Sequence, residues 1–297
     1  MTAAAVSLEV RRGLLAAAGA YGLWGVAPIF YKLLSMVSVW EVVAQRAVWS
    51  APTAGALLIM MGGAGQLKAL IRDPKSLGLL VVTSILVGAN WTLFIWAIGN
   101  DRVLEASLGY YINPLMTVLL GVAVLREALR PFQVVAIALA CVGVAIMTIG
   151  VGEAPLVGLG LASTFAVYGY LKKQLPVDAF TALFVEMTLI AAPCVLMLAT
   201  GYPSGVVAAG DHSLGVWVLL ALTGPVTVAP LVLFALGARR LRLSTLGLMQ
   251  YTAPSMMFFV GVAYGEPFSA LHAATFAFIW AGLALFSWDA RRSQQSG

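Results

Sequence analysis

Two charged residues stand inside long apolar stretches, where a charge is costly unless it is paired, hydrated or used in function. Arg46 lies about eight residues into one stretch, and Glu186 lies about seven residues into another. Eight residues of helix span about 12 Å, which is hard for a side chain to bridge by reaching outward. Two hypotheses follow. The two residues form a buried structural ion pair, or one holds a charged substrate while the other binds a proton, with Glu186 preferred as the proton-coupling carboxylate.

Two further features concern charged residues in these apolar stretches or at their ends. Glu105 begins another apolar stretch beside Arg102 and is a second proton-coupling candidate, although an interfacial ion pair with Arg102 is the favoured interpretation. The helical repeat predicts that Arg46 points inward together with three residues of the same face: Val42, Trp49 and Thr53.

Proline interrupts two apolar stretches, each time after polar and aromatic residues. Residues 110–114 read Tyr-Tyr-Ile-Asn-Pro, and residues 250–254 read Gln-Tyr-Thr-Ala-Pro. In transporters, such interruptions mark substrate sites near the middle of the membrane. The same residue types also join helices, so packing is the alternative interpretation. We predict a substrate cavity lined by Trp24, Arg46, Asn90, Trp91, Tyr111, Asn113, Gln250 and Tyr251.

The composition requires that membrane helices position these residues. Of 297 residues, 61% are hydrophobic and 10% are charged, whereas soluble domains average about 45–50% and about 25%. A soluble fold, a disordered chain and a coiled coil are excluded, and a disulfide scaffold is excluded by the presence of only 2 cysteines. With about 20 residues per crossing, the apolar stretches predict ten spans: 14–34, 38–61, 77–99, 103–125, 131–149, 155–172, 179–199, 213–236, 242–263 and 269–288.

The basic residues lie in the gaps between apolar stretches rather than in one patch, which argues against nucleic-acid binding despite a net charge of +5. If the N-terminus is cytoplasmic, fourteen of the 17 Lys and Arg residues fall in inside segments, Arg46 falls within a span, and only Lys32 and Arg102 fall outside. This is the bias that cytoplasmic loops show. It predicts that both termini are cytoplasmic and that the number of spans is even.

The two halves of the chain resemble each other. Residues 102–121 match residues 242–261 at a constant offset of 140, which pairs Pro114 with Pro254. After one gap, the match continues to Gly143 and Gly282. Each half holds five spans, an odd number, so the second half must cross the membrane upside down relative to the first.

The predicted fold is therefore an all-α integral membrane protein with ten transmembrane helices. Residues 1–150 and 151–297 form two inverted five-helix repeats within one transmembrane domain. Repeats of this kind are the architecture from which secondary transporters build alternating access.

Motifs for catalysis and for cofactors are not found. The sequence has no nucleophile elbow, phosphate loop or His box, and His212 and His272 lack metal-ligand spacing. We expect no enzyme activity, no cofactor and no metal site. Glu127 and Glu266 stand at helix ends, where an acid can cap a helix N-terminus. The expected partners are the lipid bilayer and a small-molecule substrate, without nucleic acid, and a homodimer is left open.

The run 105–114, Glu-Ala-Ser-Leu-Gly-Tyr-Tyr-Ile-Asn-Pro, resembles the most distinctive motif of the RarD-type permeases, in the EamA group of the drug/metabolite transporter superfamily. The resemblance extends over residues 13–290 and departs at Phe30, where the family usually has tyrosine. It implies ten helices in two inverted repeats, a multi-pass protein of the bacterial inner membrane, and movement of small organic solutes, metabolites or drugs. Further similar residues are Trp24-Gly25, Pro28, Tyr31-Lys32, Arg46, Trp49-Ser50, Asn90-Trp91, Arg239-Arg240-Leu241, Ser244-Thr245-Leu246-Gly247, Gln250-Tyr251, Pro254, Gly265-Glu266-Pro267-Phe268 and Phe278-Ile279-Trp280.

The leading functional hypothesis is a secondary transporter, expected to be an exporter, that works by alternating access with proton coupling through Glu186. Two alternatives stay open. A membrane enzyme acting on a lipid-linked substrate would place polar residues at one membrane surface. A channel would place a continuous polar stripe through the bilayer. The sequence does not identify the substrate.

Overall fold

The computed structural model describes residues 3–125, 131–151, 154–172, 174–201, 212–238, 240–241 and 249–295. Over these ranges the chain is helical and contains no strand, which confirms the all-α prediction. In chain order the helices are α1 (Ala3–Lys32), α2 (Val39–Met60), α3 (Ala64–Ile71), α4 (Pro74–Gly99), α5 (Val103–Leu125), α6 (Pro131–Val151), α7 (Leu156–Lys172), α8 (Ala179–Thr200), α9 (Leu214–Ala238), α10 (Thr252–Ala263) and α11 (Ala270–Gln295).

Several helices have the length and apolarity of membrane spans. Within the ranges above, 6 helices qualify on length and composition, and they belong to α1, α4, α6, α8, α9 and α11. Helices α7 and α10 are apolar but shorter. Helix α2 has 22 residues and carries Glu41 and Arg46 in its first half. The protein is thus a helical membrane protein, while ten crossings and cytoplasmic termini stay predictions.

Helix α1 begins well before the predicted start of its span. It starts at Ala3 rather than at residue 14, because the polar segment ahead of the apolar stretch is helical too. An ion pair between Glu9 and Arg12, one turn apart, supports this extension, and Glu9 also pairs with Arg240. The apolar pattern locates the part of a helix that faces lipid, and nothing in it requires the helix to end at the membrane surface.

The ninth predicted span differs as well. Residues 242–248 lie outside the described residues, and α10 begins at Thr252. Pro254 therefore stands in the first turn of α10 and not in mid-helix as predicted. In a first turn the missing N–H has no intrahelical partner to lose, so proline fits there. Pro114, in contrast, lies inside α5.

Helix α2 contacts helices of both halves of the chain. It packs against α8, α9 and α4, while α1 packs against α9 and α10. Helix α5 packs against α7, α4 packs against α7, and α6 packs against α11. The connection after α2 contains the short helix α3, which the apolar pattern does not predict because it has only 8 residues.

The crossing of α5 and α7 depends on two glycines in direct backbone contact. A Cβ added to Gly109 would lie 2.5 Å from the carbonyl oxygen of Gly158, and a backbone cannot move aside as a flexible side chain can. We expect Gly109→Ala to lower the free energy of unfolding by about 1–3 kcal/mol, the usual cost of overpacking. The measurement is the melting temperature of the purified protein in detergent.

A matched control exists on α7. Gly169 has open space around its added Cβ, so Gly169→Ala should leave the melting temperature unchanged or raise it, because alanine favours helix over glycine. Equal melting temperatures for the two variants would contradict the close approach.

Candidate functional site

Arg46 lies in the first half of α2, and only 8% of its surface is exposed. Its Nε donates a hydrogen bond of 2.9 Å to Oγ1 of Thr227 in α9. Its guanidinium carbon lies 3.9 Å from the ring centre of Trp91 in α4 and 5.4 Å from that of Tyr31 in α1. These cation–π contacts partly offset the loss of water around the charge. In the part of the chain that the structure describes, no carboxylate forms an ion pair with Arg46.

Three buried polar atoms at this place have no hydrogen-bond partner among the described residues: Nη1 of Arg46, Oη of Tyr31 and Oγ of Ser50. Ser50 is fully buried and follows Arg46 by one helical turn on the same face of α2. Buried polar groups are almost always paired in native proteins, so a cluster of unpaired ones points to a functional site. We name the residues of this site the arginine cluster: Tyr31, Arg46, Ser50, Trp91 and Thr227.

The inward face of α2 differs from the prediction. The buried stripe is Val42, Arg46, Ser50 and Ala54, whereas Trp49 is 39% exposed. The prediction that Trp49 points inward with Arg46 is wrong, and Thr53 is only half-buried. The reason is steric, because α9 approaches so closely at Gly224 that an added Cβ would lie 2.4 Å from the carbonyl oxygen of Trp49.

Glu186 lies in α8 with none of its side chain exposed, and it accepts three hydrogen bonds. The donors are Oγ1 of Thr83 in α4 at 2.7 Å, Oη of Tyr168 at 3.1 Å and Nζ of Lys172 at 3.0 Å, the last two in α7. The ion pair of Glu186 is therefore with Lys172 and not with Arg46. By its place in a predicted cytoplasmic segment, Lys172 is expected only to orient the protein, and its pairing with Glu186 has no signal in the sequence.

A cap at Asp178 fixes the start of α8 and hence the position of Glu186. The carboxylate of Asp178 accepts hydrogen bonds from the backbone N–H groups of Phe180 at 2.8 Å and of Thr181 at 3.1 Å. Burial raises the pKa of Asp178, but the hydrogen bonds from Thr181 and Phe180 outweigh it and hold the pKa below its usual value. The cap is therefore lost only as the pH falls through this lowered pKa.

Glu105 caps a neighbouring helix. Its Oε1 accepts the backbone N–H of Val157, in the first turn of α7, at 2.9 Å, and its Oε2 lies 3.4 Å from Nη1 of Arg102. Both contacts describe a structural role at a helix end, including the expected interfacial pair with Arg102. Its role as a proton-coupling group stays an untested prediction.

Glu266 caps α5 in the same manner. It is 6% exposed, and its two carboxylate oxygens accept the backbone N–H groups of Val103 and Leu104, each at 2.8 Å. This confirms the predicted capping role of Glu266, whereas Glu127 lies outside the described residues. The acid follows α10, so this cap links the two halves of the chain.

Removal of this cap should be costly. Glu266→Ala leaves two buried N–H groups without a partner, and we expect a loss of about 2 kcal/mol in the free energy of unfolding. Glu266→Gln keeps one acceptor oxygen and should lose about half as much. Melting temperatures in detergent test the order. Glu9→Ala, which removes a partly exposed acid whose ion pairs are with partly exposed arginines, is the control and should change less. A Glu266→Ala protein as stable as the wild type would contradict the assignment.

A cavity of about 430 Å³ lies between α5, α10 and α11. Tyr111 and Tyr251 stack there with ring centres 6.4 Å apart, and Oη of Tyr111 lies 2.6 Å from Oγ of Ser255. The structure thus brings together two of the predicted lining residues, beside α5 and α10 and not on the helices that carry the arginine cluster. We name this space the aromatic cavity, and its lining is Tyr111, Tyr251, Ser255, Phe258, Phe259, Trp280, Leu283, Ala284 and Ser287.

Two other predicted lining residues join helices. Asn90 in α4 donates through Nδ2 to the carbonyl oxygen of Leu161 at 3.0 Å and to Oγ1 of Thr164 at 2.8 Å, both in α7. Trp24 packs against Phe234 of α9 with the two rings tilted and their centres 5.9 Å apart. The alternative interpretation, in which polar and aromatic residues hold helices together, accounts for these contacts.

The last two predicted residues lie near the proline interruptions. Asn113 is half-buried in α5, and its Oδ1 has no partner within the described ranges. Gln250 is half-buried in the turn that leads into α10. Of the eight predicted residues, Arg46 and Trp91 belong to the arginine cluster and Tyr111 and Tyr251 line the aromatic cavity. That all eight line one substrate cavity stays a prediction. The predicted lining does not include Tyr31 or Ser50, although the one-turn spacing of Ser50 from Arg46 is visible in the sequence.

Comparison with known proteins gives concordant results. The EamA-like transporter family model matches residues 11–149. An uncharacterized transporter of Vibrio cholerae is 43% identical over 95% of this chain and 93% of its own, and protein RarD of Escherichia coli is 40% identical over 97% of each. The chloramphenicol-sensitive protein RarD of Pseudomonas aeruginosa is 30% identical over 95% of each. A solved crystal structure, 21% identical, covers 94% of this chain and 98% of its own with a TM-score of 0.61, so it shares the fold.

Proposed function

This chain belongs to the EamA-like transporter family as a RarD-type permease, and we propose that it is a secondary transporter that moves small organic solutes across the bacterial inner membrane by alternating access. The observation that carries the proposal is the arginine cluster. It places a buried cation, without an ion-pair partner among the described residues, where helices of the first half, α1, α2 and α4, meet α9 of the second half. In transporters built from repeats, the substrate binds at the interface between the repeats.

Reciprocal contacts between α6 and α11 support two repeats related by a two-fold axis. An added Cβ on Gly143 would lie 2.9 Å from the carbonyl oxygen of Thr275, and one on Gly282 would lie 2.7 Å from that of Ala136. An offset of 139 residues converts each contact into the other. A contact in which i meets j and j meets i is the signature of a two-fold relation. Since each half has five spans in our topology, the axis lies in the membrane plane.

The helix pairs give the same support. The packing of α1 on α9 corresponds to the packing of α7 on α4, and that of α1 on α10 corresponds to that of α7 on α5. Exchanging the first-half helices for their second-half equivalents thus reproduces the contacts. Two bundles related in this way can rock against each other and open a central site to one side at a time.

Inversion also explains why Arg46 and Glu186 do not pair. Each stands seven residues after the first residue of its helix, Val39 in α2 and Ala179 in α8, which is about 10 Å along the helix axis. In the proposed topology α2 starts at the outer surface and α8 at the inner surface. Across a core about 30 Å thick, the two charges then lie about 10 Å apart in depth.

Two ion pairs are suited to hold the ends of the bundle closed. Lys32 ends α1 and pairs with Asp101 on the proposed outer side, and Lys172 ends α7 and pairs with Glu186 towards the inner side. The two lysines are related by the repeat offset of 140. We propose that protonation of Glu186 releases Lys172 and loosens α7 from α8, which couples proton movement to opening on the cytoplasmic side. Export is the direction that we assign.

The test begins with a thermal-shift screen of purified protein against amino acids, nucleosides, vitamins, carboxylic acids and antibiotics that include chloramphenicol, because a ligand of the folded state raises its melting temperature. Proteoliposomes loaded with millimolar amounts of a stabilising compound are then diluted into a trace of its labelled form. A transporter gives a transient overshoot of internal label, whereas a channel gives equilibration alone.

Three outcomes would contradict parts of the proposal. Absence of overshoot for every stabilising compound would remove the transporter mechanism and favour the channel. Recovery of a chemically altered solute by mass spectrometry would favour the membrane enzyme. The assigned direction, export, is tested in vesicles of defined orientation. Accumulation of label on the side that corresponds to the cytoplasm would show import instead.

A further inference from the structure

We infer that the arginine cluster recognises a monocarboxylate, a small organic acid with one negative charge and an apolar, preferably aromatic, body. The inference rests on the proposed function, because the site is buried and the helices must part before a ligand can enter. It adds the substrate class, which neither the fold nor the similarity to other transporters supplies.

The first argument is charge. Arg46 carries one positive charge in a 92% buried position, and the acids described in the neighbouring helices are engaged elsewhere. Those engagements are Glu41 with His212, Glu105 with the N-terminus of α7, and Glu186 with Lys172. A ligand with one negative charge would neutralise the site, whereas a doubly charged phosphate ester would leave an excess negative charge in the membrane.

The second argument is the set of donors. Nη1 of Arg46 can only donate a hydrogen bond, and the hydroxyls of Tyr31 and Ser50 can each donate one. All three atoms are buried without a partner among the described residues. An ionised carboxylate is an acceptor-only group that can take several hydrogen bonds, and bonds to a charged acceptor are the strong ones. A primary amide of the same shape has only one acceptor oxygen and brings two donors that this site does not need.

The third argument is the apolar surface beside the guanidinium. Trp91 contacts Arg46 face-on, and Tyr31 continues through Phe94 to Tyr110 in a series of edge-to-face rings, with centres 6.1 and 6.0 Å apart. Phe94 and Trp91 are 7% and 8% exposed. Aromatic rings favour such edge-to-face and offset contacts, so the carboxylate of an aromatic acid could bind Arg46 while its ring joins this series.

The experiment compares matched probes on purified wild-type protein at pH 7, by thermal shift and by titration calorimetry. Benzoate and phenylacetate carry one charge, benzamide and phenylacetamide have the same shapes without charge, and phenyl phosphate carries nearly two charges. We expect the two acids to raise the melting temperature in a saturable manner. We expect the amides and phenyl phosphate to bind at least tenfold more weakly than the acid of the same size.

Two conservative variants test whether the acids bind at this site. Tyr31→Phe and Ser50→Ala each delete one unpartnered hydroxyl, so the unliganded protein should be as stable as wild type or more stable, while benzoate binds about tenfold more weakly. A residue with a merely structural role would not give opposite effects on stability and binding. Tyr21→Phe, at a buried tyrosine of the same helix that packs near Trp24, is the control and should leave benzoate binding unchanged.

Three results would overturn the inference: amides that bind as tightly as acids, phenyl phosphate that binds more tightly than benzoate, or no stabilisation by either acid at 5 mM. A dissociation constant of about 1 mM already means weak binding, so 5 mM of acid would detect even a weak ligand. None of these results tests the transport proposal, because the counterflow overshoot is measured with whichever compound stabilises the protein. A neutral solute that gives overshoot would keep the transporter and remove the monocarboxylate.

Discussion

Glu186→Gln is expected to abolish accumulation driven by a pH gradient and to leave exchange of substrate intact. Glutamine keeps the shape of the side chain and one acceptor oxygen, so it can accept from Thr83 or from Tyr168, which bind different oxygens of Glu186, but it carries no exchangeable proton and forms no ion pair with Lys172. For exchange of one proton per solute, a gradient of one pH unit corresponds to about 1.4 kcal/mol and supports a concentration ratio of about tenfold. The variant should give a ratio near one.

The measurement is accumulation of a labelled substrate in proteoliposomes with and without a pH gradient, beside counterflow in the same preparation. Glu105→Gln is the matched control, because Glu105 is the other candidate acid and caps α7. It should retain the tenfold ratio and lose some thermal stability. A Glu186→Gln protein that still accumulates substrate tenfold would exclude Glu186 as the coupling group, and a loss of accumulation in Glu105→Gln would transfer the role to Glu105.

Arg46→Gln is expected to weaken substrate binding by roughly 100-fold, equivalent to about 3 kcal/mol, the usual consequence of removing one partner of a buried, hydrogen-bonded charge pair. Arg46→Lys keeps the charge but loses the planar contact with Trp91 and the Nε bond to Thr227, so an intermediate loss of about tenfold is expected. Binding is measured by calorimetry, and initial counterflow rates should fall in the same order.

The chain offers a matched arginine for comparison. Arg102 also stacks on a tryptophan, Trp96, at 5.4 Å, but its side chain is 46% exposed and pairs with Glu105. Arg102→Gln should leave the dissociation constant within about twofold of the wild type, since exposed ion pairs contribute little. Equal affinities in Arg46→Gln and the wild type, with both proteins folded, would place the substrate elsewhere, and the aromatic cavity would become the leading site.

The sequence predicts which segments form apolar membrane helices and roughly where they lie. It can do so because the cost of burying charge in lipid is a sum over neighbouring residues. Seven of the ten predicted spans match described helices within three residues at both ends, whereas α1 and α11 extend beyond their spans. The ninth span, at 242–263, corresponds to α10 over its second part. Helix ends are less predictable. Ala3 rather than residue 14 begins α1, because hydropathy senses lipid contact and not hydrogen bonding.

The capping roles of Glu266 and Asp178 are only partly predictable from the sequence. Both acids stand next to helix ends, where the unpaired N–H groups of a first turn attract a carboxylate, so a capping role follows from local position. The sequence nevertheless leaves open which helix Glu266 caps. It follows α10 but binds the N–H groups of Val103 and Leu104, about 160 residues earlier in the chain.

By itself, the sequence determined that this is a helical membrane protein and that Arg46 and Glu186 lie inside its apolar stretches. It also determined that the two halves match at a fixed offset. These properties depend on hydropathy, charge and spacing, which are local. Only the tertiary structure decided the partners. Arg46 bonds to Thr227, 181 residues away, and Glu186 binds Lys172, because helix packing sets which faces meet. The exposure of Trp49 goes with the close approach of Gly224 to its backbone, a contact between distant segments that helical periodicity does not encode.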